Sequence, residues 1–143
     1  MAKSELSGLA QTVTGPIDPE TLGPTMTHEH LLIEFTNMFV EPEEASRKFL
    51  AHQKISMENL GWVRYNWTSN YDNLLLIDEK TAIEEAMHYR LEGGGTIVDA
   101  TTLGIGRDPL AMARISRATD LNIVMGAGWY VDPVHPEDMT SRT

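Results

Sequence analysis

Two apolar runs separated by a capped helical segment constrain the fold of this chain more than any other feature. Thr96 to Ala100 reads T-I-V-D-A, and Leu121 to Gly128 reads L-N-I-V-M-G-A-G. Both are near-continuous β-branched or apolar stretches, the pattern of parallel strands covered on both faces. Between them lies G-R-D-P-L-A-M-A-R-I-S-R-A, where Asp108 is a natural N-cap and Pro109 takes the first helical position. Ala111, Ile115 and Ala118 then fall on one helical stripe. Strand, helix and strand within about 30 residues make a βαβ unit, which requires a parallel sheet. The fold class is therefore α/β.

The same grammar precedes this unit. In D-E-K-T-A-I-E-E-A-M-H-Y-R-L-E-G-G-G, the residues Ala82, Ile83, Ala86, Met87 and Leu91 stand at helical spacing, with Gly93 as the C-terminal stop. A further strand-like run spans Thr25 to Ile33. Its approach, residues 11–24, carries the turn signals Gly15-Pro16 and Asp18-Pro19 and predicts a short hairpin. Residues 34–73 fit neither period. With Trp62, Tyr65, Trp67 and Tyr71 among polar residues, they read as a long, partly helical insertion after the first strand. Such loops often carry function, and their aromatics either shape a binding face or pin the insertion to the body.

The end of the first run, P-T-M-T-H-E-H-L-L-I-E, holds two histidines two residues apart. Side chains at i and i+2 of a strand share a face about 6.6 Å apart at the backbone. His28 and His30 can thus converge on one cation, held about 2.0 Å from each nitrogen. Glu29 points to the other face and reads as a structural or supporting carboxylate. A bare His-x-His is a short pattern, and its plain reading is two histidines that cap a strand and meet solvent. Position adds weight to the metal reading, because βα barrels do their chemistry at the C-terminal ends of their strands. His52 and His88 lie in charged helical surroundings and read as solvated. His135, in D-P-V-H-P, reads as a surface-loop histidine able to overhang a site.

Composition narrows the chemistry. The 143 residues are 41% hydrophobic, enough for one core. Eleven Lys+Arg against 21 Asp+Glu leave a net charge of −10, which repels phosphate backbones and anionic membrane surfaces, so neither nucleic acid nor membrane is expected as a partner. There is no cysteine, which removes disulfides, zinc–thiolate sites and cysteine nucleophiles together and fits a reducing, cytoplasmic setting. The N-terminal M-A-K-S-E-L-S-G-L-A lacks an apolar signal core, and no window approaches the roughly 18 apolar residues of a membrane helix. Gly104-Ile105-Gly106 opens like a dinucleotide fingerprint, but Pro109 stands at the third glycine position. Neither a P-loop nor a G-x-S-x-G elbow occurs. Any metal must be held by histidine, carboxylate or an unusual ligand.

Three motifs in order carry a resemblance. T-H-E-H-L after an L-G-x-T lead-in, then G-G-T-I-V-D-A-T-T-L-G-I-G-R-D, then G-A-G-W-Y-V-D-P, resemble the phosphotriesterase family of the amidohydrolase superfamily, closest to its phosphotriesterase-related branch. The likeness runs from Gln11 to Pro133. It implies a (β/α)8 TIM barrel, of which this chain holds about the first three strands, with a pair of divalent metals, zinc-like, at the strand ends. His28 and His30 match the strand-one ligands of the more buried metal. The implied reaction is attack by a metal-activated hydroxide on an ester, lactone, amide or phosphotriester of a small molecule; homo-oligomerisation stays open. Tyr130 falls where lactonase-like members carry tyrosine and the true phosphotriesterases tryptophan, which favours a carbonyl substrate. Tyr130 and its neighbour Trp129 are thus candidate substrate contacts, or equally wall residues packing a strand end. Cyclic amide hydrolases and deaminases share His-x-His but generally lack the later segments in this order, and rank lower.

The departures are as telling. The family needs a bridging carboxylated lysine from strand four, histidines from strands five and six, and an aspartate from strand eight. Lys3, Lys48, Lys54 and Lys80 all lie outside the strand runs, and no catalytic group is assigned within this chain. A TIM barrel typically needs about 250 residues. Two histidines leave zinc short of three protein ligands, and three strands leave an open edge. The chain therefore reads as the N-terminal portion of an enzyme, inactive and poorly folded when isolated. The alternative is a truncated, non-catalytic product that binds a partner through its open strand edge.

Overall fold

A computed structural model describes residues 6–142, and Lys3 lies outside them. The N-terminal hairpin pairs β1 (Ala10–Thr12) with β2 (Gly15–Ile17). Its reversal lies at Val13 and Thr14, where the Thr12 hydroxyl donates to the Gly15 carbonyl at 2.6 Å. Gly15 and Pro16 thus sit in the second strand, not at the turn: Gly15 takes φ +131°, open to glycine alone, and Pro16 occupies a two-stranded ribbon.

β3 (Thr25–Glu29) follows, and the run expected to continue to Ile33 breaks after Glu29. The break has a local cause. The Leu31 N–H leaves the ladder to bond the Asp99 carboxylate at 2.7 Å, and the chain turns out of the sheet. Ile33–Glu34 then forms β4, antiparallel to β5 (Leu75–Leu76). Between these two strands lie α1 (Ala45–Ala51), α2 (Leu60–Tyr65) and several 3-10 turns. Fully buried Asn70 knits this segment together. Its amide donates to the Leu50 and Gln53 carbonyls, and its oxygen accepts from the Asn73 N–H, each at 2.9 Å.

The remaining elements alternate: α3 (Glu79–Leu91), β6 (Thr96–Asp99), α4 (Pro109–Thr119) and β7 (Asn122–Met125). β3, β6 and β7 form one parallel sheet in that order. Ile97 packs with Ala86 of α3 and with Leu121; Ile123 packs with Ala82, Ala111, Met112 and Ile115. One face of the sheet is thereby covered by the two helices, which Glu79 and Arg114 clamp together at 2.7–3.1 Å. The guanidinium holds the Glu79 carboxyl below its ordinary range.

Two expected stripe positions are displaced. Leu91 is 74% exposed, because α3 buries the Ala82–Ala86 line and Leu91 falls round the helix from it. Ala118 is exposed because the buried face of α4 centres on Ile115 and Thr119 and leaves Ala118 at its rim. Thr119 and Ser116 can occupy that face because their hydroxyls donate to the Ile115 and Leu121 carbonyls.

The far edge of β7 is not fully open either. Asn122 and Gly126 turn their N–H groups toward β6, so the Ile123 carbonyl points the other way. There it accepts from the Val13 N–H at 2.9 Å, and the hairpin covers part of an edge expected to stand bare.

Asp108 caps α4 as expected, accepting from the Leu110 and Ala111 N–H groups at 3.0 and 2.9 Å. Asp108→Ala is expected to cost about 1 kcal/mol in urea unfolding, with Asp108→Asn costing much less. Equal losses in the two variants would mean that the capping bonds are not what the aspartate contributes.

Candidate metal centre

The sheet register decides where the histidines point. Met26 stands opposite Ile97, yet Glu29 stands opposite Asp99, so three steps along β3 match two along β6. This is a β-bulge, and it changes the parity of the strand. Met26 and Glu29 both lie on the side of Ile97 and Asp99, toward the helices. His28 and His30 are thereby turned to the opposite side, the one that faces the interior of a barrel. Simple alternation from Met26 would have aimed both at the helices. The rings meet edge to face, with centroids 5.6 Å apart and planes at 76°. His28 is exposed and His30 half-buried.

What holds this strand end is Asp99, 1% exposed on the helix side of β6. One carboxylate oxygen accepts from the Leu31 N–H and the other from the Thr101 N–H at 2.9 Å, so a single side chain bridges the ends of two strands. Between those bonds, the Ala100 N–H donates to the Glu29 carbonyl at 2.8 Å. The Thr101 hydroxyl lies 2.9 Å from His30 Nδ1 and 3.0 Å from the Leu32 carbonyl.

The loops above are packed through glycine. A Cβ on Gly106, which has φ +90°, would fall 2.8 Å from the Glu34 nitrogen, and that N–H bonds the Ile105 carbonyl at 3.0 Å. Gly106 thus permits close backbone approach to β4, and Gly104, at φ +95°, leaves room for the Val134 side chain, which accounts for both glycines without any phosphate.

Trp129 bridges to Leu103 in parallel fashion, and Arg142 sits 4.9 Å over its ring. Tyr130 is 39% exposed; its ring meets Phe35 edge-on at 5.5 Å, and Phe35 stacks on Trp67 at 6.3 Å. Three rings from three separate segments form an aromatic wall. His135 Nε2 donates to the Tyr130 carbonyl at 3.1 Å and so supports this wall. His52 pairs instead with Glu41 at 3.2 Å, and His88 is exposed on α3. Tyr65, 91% exposed, joins no cluster of rings.

The donor chemistry fits part of a divalent site: two imidazoles share one face at a strand end, and the Glu29 carboxylate is turned away. Among the described residues no group of three or more His, Asp or Glu side chains converges, whereas catalytic zinc is usually held by three protein ligands.

Asp99, Thr101 and Phe35 escaped the sequence reading. Asp99 did leave a signal, being the one charge inside the apolar run T-I-V-D-A. Thr101 and Phe35 left none, since their roles depend on partners 69 and 95 positions away.

A parallel sheet with its crossover helices on one face, and paired imidazoles at the end of its first strand, defines part of an α/β barrel. The chain belongs to the phosphotriesterase family, whose model matches residues 8–143. It is 47% identical over 141 residues to an N-acetyltaurine hydrolase of Xenopus tropicalis, spanning 98% of this chain and 40% of that protein. A phosphotriesterase-related protein of Nematostella vectensis is 43% identical over 136 residues, with 93% and 39% covered. Among solved structures, a resiniferatoxin-binding protein from Rhodobacter sphaeroides superposes with a TM-score of 0.88 at 42% identity, covering 92% of this chain and 37% of that one. A lactonase from Listeria monocytogenes gives 0.59 at 30% identity, with 88% and 30% covered. The chain thus spans about 40% of the length of the curated relatives it matches. No described helix is long and apolar enough to cross a membrane.

Proposed function

We propose that this chain provides the strand-one metal ligands and part of the substrate wall of a metal-dependent hydrolase that cleaves a small-molecule carbonyl compound, an amide foremost. The observation that carries the reading is the bulge in β3, which turns His28 and His30 together away from the helix-packed core. A divalent pair of zinc type, when bound, supplies Lewis-acid polarisation of the scissile carbonyl and activation of the attacking water. His28 and His30 hold their share of it through ring nitrogens. Asp99 fixes the strand end that carries them, and Phe35, Trp67 and Tyr130 present an apolar surface to the substrate, with Trp129, next to Tyr130 in the chain, as a further candidate contact. That wall suits an uncharged acyl or alkyl portion better than a polyanion.

Relatives named as N-acetyltaurine hydrolases support an N-acyl amide, and one named as a lactonase supports a cyclic ester as the runner-up. Completing the site needs at least one more protein ligand, so the 143 residues alone are expected to lack turnover. A cysteine-free composition suits action in the cytoplasm.

The test is hydrolysis of N-acetyltaurine and of a simple γ-lactone by the whole protein, before and after chelation. Amide cleavage lost on chelation and restored by zinc or manganese is the expected result. Cleavage that persists in the chelated protein would overturn the metal reading, and lactone cleavage alone would move the substrate to the runner-up.

A further inference from the structure

We propose that Thr101 is a positioning residue for His30, whose hydroxyl fixes the imidazole as the Nδ1–H tautomer and leaves Nε2 as the nitrogen presented to a divalent cation. The cation part rests on the reading of His28 and His30 as ligands; the tautomer part stands without it.

Proton accounting carries the inference. Thr101 is 2% exposed, and its hydroxyl oxygen lies within hydrogen-bond distance of both His30 Nδ1 and the Leu32 carbonyl. A hydroxyl has one proton to give. The carbonyl of buried Leu32 can only accept, and a buried carbonyl left unpaired is costly, so the proton goes there. Thr101 then has only lone pairs to turn toward the ring. For the 2.9 Å contact to be a hydrogen bond, His30 must donate from Nδ1. A neutral imidazole has one N–H, so Nε2 keeps its lone pair.

The hydroxyl is also fixed in place. The Thr101 N–H is bonded to Asp99, and the same carboxylate holds the Leu31 N–H next to the histidine. Asp99 thus sets the spacing between the two main chains, and Thr101 converts that spacing into a ring orientation and a choice of nitrogen. In water the neutral histidine side chain favours the opposite tautomer, so this contact presents the cation with a ring that need not first rearrange. Partners of this kind behind a metal-binding histidine are typically worth about 10–100-fold in metal affinity.

The test is long-range nitrogen–proton NMR of the imidazoles in the metal-free whole protein, at a pH well above the imidazole range, with His30 assigned by difference from His30→Ala. The Nδ1–H form is expected in the wild type. Thr101→Val should shift His30 toward Nε2–H and weaken zinc binding about 10–100-fold, and Thr101→Ser should restore both. An Nε2–H wild type, or an unchanged tautomer in Thr101→Val, overturns the proposal. If Thr101→Val does not fold, the wild-type spectrum still decides the tautomer. An unchanged zinc affinity beside a shifted tautomer overturns the role toward the cation. Zinc binding that survives loss of both histidines instead defeats the ligand reading, and leaves the tautomer result to be judged alone.

Discussion

Replacing His28 and His30 together by alanine is expected to strip the whole protein of stoichiometric divalent metal. Structural zinc in small sites is worth about 10–16 kcal/mol over four ligands, or roughly 2.5–4 kcal/mol for each. Losing two ligands then costs about 5–8 kcal/mol, a fall of roughly 10^4 to 10^6 in affinity. Elemental analysis after gel filtration reads this directly. The fold should survive, because His28 is exposed and neither ring belongs to the clusters under the helices. Full metal occupancy in the double variant would show that the cation sits elsewhere and would remove the main support for the proposed reaction.

The second large effect concerns stability. Asp99→Ala should cost roughly 2–5 kcal/mol in urea unfolding, because a buried N–H on Thr101 and a partly buried one on Leu31 lose their acceptors at once. Asp99→Asn separates geometry from chemistry. Its amide offers one oxygen and one NH2, so one of the two donors still finds an acceptor while the other meets a second donor. About half the loss is therefore expected. An alanine variant within about 0.5 kcal/mol of wild type would mean that water replaces both bonds, and that the carboxylate does not hold the strand end.

Much of this arrangement was legible because it rests on short-range rules. The Asp108-Pro109 cap needs only neighbours, and it stands where the spacing put it. The parallel runs at Thr96 and Leu121 declared themselves by being apolar at both parities, as doubly covered strands must be. The side toward which the histidines point was a different matter. Alternation shows only that His28 and His30 share a side. Which side depends on a bulge that is visible in the register with β6 and nowhere in the local sequence. The break after Glu29 was hidden for a similar reason, since an aspartate 68 positions on draws the Leu31 N–H out of the ladder. The aromatic wall assembles Phe35, Trp67 and Tyr130 across three segments, so the sequence could name its tyrosine by resemblance but not its geometry.

The spacing of the strands in the chain sets an order of events. β6 and β7 pair Thr96 with Asn122, 26 positions apart, whereas β3 and β6 pair Thr25 with Thr96, 71 positions apart. The longer closure costs about 0.9 kcal/mol more in chain entropy, since each doubling of a loop costs about 0.6 kcal/mol. The unit built from β6, α4 and β7 is therefore poised to form early, and the strand bearing the histidines to dock onto it afterwards. A cation that bound those histidines would act on the later of these two pairings. Metal supply would then govern how long β3 stays paired with β6, a structural effect separable from any catalytic one.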